Sequence, residues 1–176
     1  FPLFDAEQYL EGQFIERLPD WLQDAIWKYG IRNSHLLSIA PTGTISLAFA
    51  DNASNGIEPP YSWTYQRKKR MPDNSMRSYA VEDHAWRLYR RRRRGPDLDL
   101  DLDLAPDAAL PPQFVTALEM SADDHLRMLE AVQPFVDTAI SKTVNVPAEY
   151  PYEDFRDLYS EAWRAGLKGL ATYRPN

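Results

Sequence analysis

Between Lys142 and Tyr173 the sequence reads strand, helix, strand, and that order restricts the fold more than any other feature of the chain. Lys142-Thr143-Val144-Asn145-Val146 is rich in β-branched residues and is stopped by Pro147. Tyr152 to Ala165 places Phe155, Leu158, Tyr159, Ala162 and Trp163 on one helical stripe that Gly166 ends, and Gly169 to Tyr173 is a short closing strand. Two strands joined through a helix form a right-handed crossover and pair in parallel. The predicted fold class is α/β, helix-rich with a few short parallel strands.

Upstream the punctuation is equally local. Pro19 to Gly30 reads as a helix with Asp20 and Asp24 in its early turns, Trp21, Leu22, Ala25, Ile26 and Tyr29 on one face, and Gly30 as its stop. Ser121 with Asp124 three residues on is a capping-box pattern opening a helix that carries Leu126, Leu129 and Val132. Pro134 cannot continue that helix without removing a hydrogen bond, so a break is expected near Gln133. His35 to Ala40 is a short apolar run before Pro41 and is predicted as a buried strand. A further helix is predicted from Ser78 to about Arg91, with Val81, Ala85, Leu88 and Tyr89 inward.

With 44% hydrophobic residues in 176, the chain can bury a core without cross-links, and its zero cysteines supply none. The same zero excludes thiol nucleophiles, thiolate zinc sites and dithiol chemistry within these residues. No apolar stretch approaches the roughly 20 residues that span a bilayer, and Phe-Pro-Leu-Phe-Asp is no secretory signal, so the expectation is a soluble, cytoplasmic protein with no membrane partner. The start without methionine reads as a piece of a larger polypeptide. A net charge of -6 argues against a nucleic-acid binder as a whole.

The charge is nonetheless concentrated. Arg67-Lys68-Lys69-Arg70 and Arg90 to Arg94 are basic clusters that could neutralise phosphates, but Asp97 to Leu104 alternates Asp and Leu directly beside the second cluster and would satisfy it internally. Nucleic acid is therefore an unfavoured partner. Residues 90–110 are expected to form a solvated, flexible low-complexity insert, because four carboxylates on one strand face repel. His35, His84 and His125 lack metal-site spacing and read as capping or packing residues, and the five tryptophans read as packing.

One turn carries chemistry. Pro41-Thr42-Gly43-Thr44-Ile45-Ser46 follows the apolar run and leads into Leu47-Ala48-Phe49. It would offer the free amides of a helix start, a glycine that admits close approach, and three hydroxyls, which together suit phosphate oxygens. It has no lysine and so differs from a P-loop, and such turns also occur simply as helix caps.

Four motifs then resemble one family in order and spacing. They are Asn33 to Ser46, Asn52 to Tyr61 (Asn-Ala-Ser-Asn-Gly-Ile-Glu-Pro-Pro-Tyr), Ile140 to Pro147, and Gly166 to Asn176. The chain resembles the C-terminal part of the large catalytic subunit of ribonucleotide reductases, most closely the adenosylcobalamin-dependent class that reduces ribonucleoside diphosphates. The resemblance covers nearly the whole chain except the stretch around residues 90–110. It implies that 1–176 is a single domain supplying the last part of a ten-stranded α/β barrel. It implies that Pro41, Thr42, Gly43, Thr44, Ile45 and Ser46 hold the substrate diphosphate, with the Asn-Gly-Ile-Glu-Pro stretch beside the same cavity. Adenosylcobalamin would be the cofactor of the full-length enzyme, with no binding residue assigned in this chain. The radical-bearing and redox cysteines would lie upstream, in the N-terminal remainder of the reductase, so no catalytic residue falls here. Ala171 and Thr172 stand where the iron-dependent class carries two adjacent tyrosines. The alternative, from another class of function, is a stand-alone nucleotide- or nucleic-acid-binding module.

Overall fold

The computed structural model describes residues 2–52, 55–94 and 110–174. The Asp-Leu repeat lies outside them. The described residues form two compact units, Phe1–Ala40 with Ser121–Asn176, and Pro41–Met120.

The first unit contains α1 (Ala6–Leu10), α2 (Asp20–Tyr29), α5 (Ala122–Val132), β3 (Thr143–Asn145), α6 (Tyr152–Arg164) and β4 (Ala171–Tyr173). The second contains α3 (Gly43–Phe49), the strands β1 (Thr64–Arg70) and β2 (Met76–Glu82), and α4 (His84–Arg94). The predicted parallel pair is present: β3 runs beside β4 in the register Thr143 to Ala171, Val144 to Thr172 and Asn145 to Tyr173. Helix α6 connects them, and Tyr159 Oη lies 3.0 Å from Thr172 Oγ1, tying the helix to β4. Its C-terminus closes as foreseen, because Gly166 sits at φ 73, a left-handed geometry that costs glycine little, and Leu167 N donates to Ala162 O.

Helix α5 starts on the reciprocal capping box of Ser121 and Asp124. At Pro134 it gives way to a 3-10 turn over Gln133–Phe135. Its inner face buries His125, Leu126 and Leu129 against β3, where Val144 and Val146 are also enclosed. Lys142 is drawn into the same core, its Nζ 2.7 Å from His125 Nδ1 and donating to Thr143 O. The buried Gln133 donates from Nε2 to Val136 O and Thr138 O, which fixes the bend after the turn.

Several sequence expectations require correction. His35 to Ala40 is not a buried strand: Leu36 and Leu37 are about half exposed. The segment belongs to no strand; Ser141 N donates to Ile39 O, and side chains supply the rest of its anchorage. Asp137 takes the amides of both Leu36 and Leu37 on its two carboxylate oxygens, and Thr138 Oγ1 donates to Leu37 O. The helix predicted from Ser78 begins only at His84, because Met76–Glu82 pairs antiparallel with Thr64–Arg70. Asp83 then caps α4 by accepting from Ala85 N and Trp86 N, so the helix cannot extend backwards. The short strands are accordingly parallel in one unit and antiparallel in the other. Arg90–Arg94, assigned to a flexible insert, continue α4.

The tryptophans divide. Trp63 and Trp86 join Tyr89 and Phe114 in a ring cluster of the second unit, with centroid separations from 4.8 to 6.5 Å. Trp21, Trp27 and Trp163 are 60–79% exposed. Trp163 belongs to the predicted stripe only at its margin, since it lies roughly 140° round the helix from the buried Leu158.

Candidate functional site

Thr42 is the residue before α3 and adopts the left-handed conformation, φ 55, ψ 1, which reverses the chain after Pro41. Its carbonyl accepts the first helical bond, from Ser46 N at 2.8 Å. Its hydroxyl does not cap the helix; Oγ1 accepts from Gly56 N at 3.0 Å. The amides of Gly43, Thr44 and Ile45 therefore have no hydrogen-bond partner among the described residues, as expected of the first turn of a helix.

Structure assigns the six predicted residues unequal positions. Pro41, Thr44 and Ile45 are exposed, Thr42 and Gly43 are half-buried, and Ser46 is buried at 2%. Thr44 thus carries the turn's solvent-facing hydroxyl. Gly43 does not need to be glycine for the fold's sake, because its φ is ordinary and an added Cβ would meet only Asn55 Oδ1, at 3.5 Å. What glycine leaves there is bare backbone.

Asn55-Gly56-Ile57-Glu58 folds back against this turn. Gly56, at φ 67, provides the reversal, and Glu58 N donates to Asn55 O. The two motifs that the resemblance put beside one cavity are thus joined by a hydrogen bond. Nothing local to Asn55-Gly56 marks the bond to Thr42, which lies 14 positions away.

The far end of α3 is anchored by a second set of residues that the sequence did not indicate. Asp51 and Asn52 are both left-handed, and the buried Asn52 donates from Nδ2 to Glu82 O while its own amide donates to Ser46 O. His84 Nδ1 lies 3.0 Å from Asp51 Oδ2, and Arg87 pairs with the same carboxylate and donates to Asp51 O. Arg90 pairs with Glu82 at 2.8 Å. The His84 hydrogen bond first, then that of Arg87, holds the Asp51 carboxyl below its ordinary 3.8. A lowered folded pKa means that the tether contributes above the unfolded value and fades as pH falls through the folded one. Asp51 should titrate below 3.8 by carboxyl NMR, and Asp51→Asn should flatten the acid limb of the stability profile below about pH 4. An Asp51 titration at or above 3.8 would contradict the tether.

A parallel βαβ pair in one unit and a helix-opening turn in the other define an α/β protein. Residues 1–173 match the ribonucleotide reductase barrel domain, and the chain belongs to that family. It is 33% identical to the vitamin B12-dependent ribonucleotide reductase of Streptomyces coelicolor over 85% of this chain and 16% of the relative. It is 35% identical to the vitamin B12-dependent ribonucleoside-diphosphate reductase of Mycobacterium tuberculosis (strain H37Rv) over 81% of this chain and 21% of the relative. The chain thus spans about a fifth of these relatives. Among solved structures, the alpha subunit of the Actinobacillus ureae class Id ribonucleotide reductase has a similar fold, with TM-score 0.58 and 21% identity over 86% of this chain and 28% of that one.

Proposed function

We propose that this chain is the substrate-phosphate portion of a cobalamin-dependent ribonucleoside-diphosphate reductase, forming the C-terminal part of its ten-stranded barrel and acting together with the remainder of that enzyme in the cytoplasm. The observation that supports this most is the trio of amides at Gly43, Thr44 and Ile45 that find no partner among the described residues, beside the exposed Thr44 hydroxyl. Diphosphate oxygens would accept from these donors, with the helix start contributing partial positive charge. The left-handed Thr42 and the Gly56 bond keep the amides pointing one way before ligand arrives, so little ordering is left for the moment of binding. Binding here would orient the ribose for reduction.

Adenosylcobalamin would supply the radical initiation in the complete enzyme. The turn's amides and hydroxyls suit phosphate oxygens rather than a corrin, and among the described residues no cluster of His, Asp and Glu could hold a metal ion. With no cysteine among its 176 residues the chain has no thiol to carry a radical, and the purified chain should form no deoxyribonucleotide from any ribonucleotide.

Diphosphate binding is testable directly. Three or four charge-assisted hydrogen bonds of about 1.5–3 kcal/mol each, set against an association cost of about 4–15 kcal/mol, leave little net affinity, so binding is expected to be weak, with dissociation constants of about a millimolar or higher. In a ¹⁵N titration with a ribonucleoside diphosphate, the amides of Gly43, Thr44 and Ile45 should shift. Thr44→Ala should weaken binding about tenfold by removing one hydroxyl donor. Gly43→Ala should fold like the parent, since its Cβ meets only an ordinary contact, yet bind more weakly because backbone approach is blocked. Shifts confined to the α4 arginines, with Gly43 to Ile45 unmoved, would remove the basis for this assignment.

A further inference from the structure

The β1–β2 hairpin carries five cations, Arg67, Lys68, Lys69, Arg70 and Arg77, and its register shows how the charges are arranged. Directly opposed residues of an antiparallel pair share a face, as do residues two apart along a strand. Tyr65, Arg67 and Lys69 of β1 therefore share one face with Val81, Tyr79 and Arg77 of β2, in the pairs Tyr65 with Val81, Arg67 with Tyr79, and Lys69 with Arg77. Lys68 and Arg70 lie on the other face, opposite Ser78 and Met76. All five cations are exposed, and none forms an ion pair with a described residue.

Lys69 opposite Arg77 is an arrangement that folding alone disfavours, because like charges facing each other across a ladder repel. The hairpin's two carboxylates do not relieve it. Asp73, in the connecting turn, accepts from Ser75 N and Oγ, and Glu82 is engaged by Arg90 at the opposite end of the ribbon. An external polyanion would relieve it. Two-stranded ribbons fit the major groove of a duplex, and clustered Lys and Arg release condensed counterions from phosphates. Tyr79, 41% exposed beside Arg67, adds an aromatic ring to the same face, and such a ring favours nucleobases over an acidic peptide.

We propose that the Arg67, Lys69, Arg77 and Tyr79 face of the β1–β2 hairpin is a docking surface for the phosphodiester backbone of a nucleic acid. This revises the expectation drawn from the sequence. That expectation weighed the α4 arginine run against the neighbouring Asp-Leu repeat, whereas the hairpin cations form a separate, strand-spaced set.

Fluorescence anisotropy of the full chain with labelled oligothymidylate, and in parallel with a labelled mixed-sequence duplex, tests it. Three phosphate contacts predict a slope of log K against log salt of about -2 with the single strand, or nearly -3 with the duplex. For the single strand that is a loss of more than about tenfold between 50 and 200 mM salt. Changing Arg67, Lys69 and Arg77 together to Gln should bring the slope towards zero. Should that variant fail to fold, Lys69→Thr alone, a strand-compatible change that removes the repulsion, should reduce the slope by about 0.7 with the single strand. Tyr79→Leu should weaken the single strand more than the duplex. Three results would each overturn the proposal: no saturable binding at 50 mM salt, an unchanged slope in the charge variants, or displacement of the oligonucleotide by polyaspartate at equal charge concentration.

Discussion

Replacing Asp137 by Ala is expected to lower the stability of the first unit by about 2–4 kcal/mol. The carboxylate accepts the amides of both Leu36 and Leu37, and leaving a buried or half-buried amide unpaired costs about 1–3 kcal/mol. The Asp137 carbonyl also accepts from Lys168 Nζ, so displacement of this corner would disturb the approach to β4 as well. At about 2–4 °C per kcal/mol for a chain of this size, the melting temperature should fall by roughly 5–15 °C. Asn at 137 keeps one acceptor and should cost about half as much. Hydrogen exchange at Leu36 and Leu37 should accelerate in both variants, and unchanged exchange at these two amides would show that the carboxylate does not hold the segment.

Leu129→Ala is expected to cost about 2–5 kcal/mol, through lost burial and the cavity left behind. Leu129 is 1% exposed on α5, facing β3 one turn beyond His125. A loss of that size is a large fraction of the roughly 5–15 kcal/mol that holds a domain together. The urea midpoint should drop with the slope unchanged, whereas Met128→Ala, at a position 44% exposed, should stay within about 0.5 kcal/mol of the parent. Equal effects at the two positions would mean that the inner face of α5 is misassigned.

The elements legible in the sequence are those whose signals are local. Pro19 with Gly30 bounds α2, Ser121 with Asp124 opens α5, and Pro134 ends it, because each of these residues acts on the backbone within one turn of itself. The βαβ pair was legible because strand, helix and strand follow one another along the chain. What was missed depends on residues far apart. His35 to Ala40 reads as a buried strand by its apolar run, yet its amides are taken by the Asp137 side chain, about 100 residues on. Arg67-Lys68-Lys69-Arg70 has poor strand propensity; its pairing follows from Met76–Glu82 and from the Pro72 to Ser75 turn. Within the candidate site the turn itself was legible, whereas the Thr42 to Gly56 bond and the Asp51, His84 and Arg87 tether join residues 14 to 36 positions apart.

The uneven distribution of tryptophan gives the two units different optical labels. Trp21, Trp27 and Trp163 face water in the first unit, while Trp63 and Trp86 are half-buried in the ring cluster of the second. A collisional quencher such as acrylamide extinguishes solvent-facing indoles first, leaving emission that reports on the ring cluster. Loss of one unit can then be followed separately from loss of the other in a single unlabelled sample.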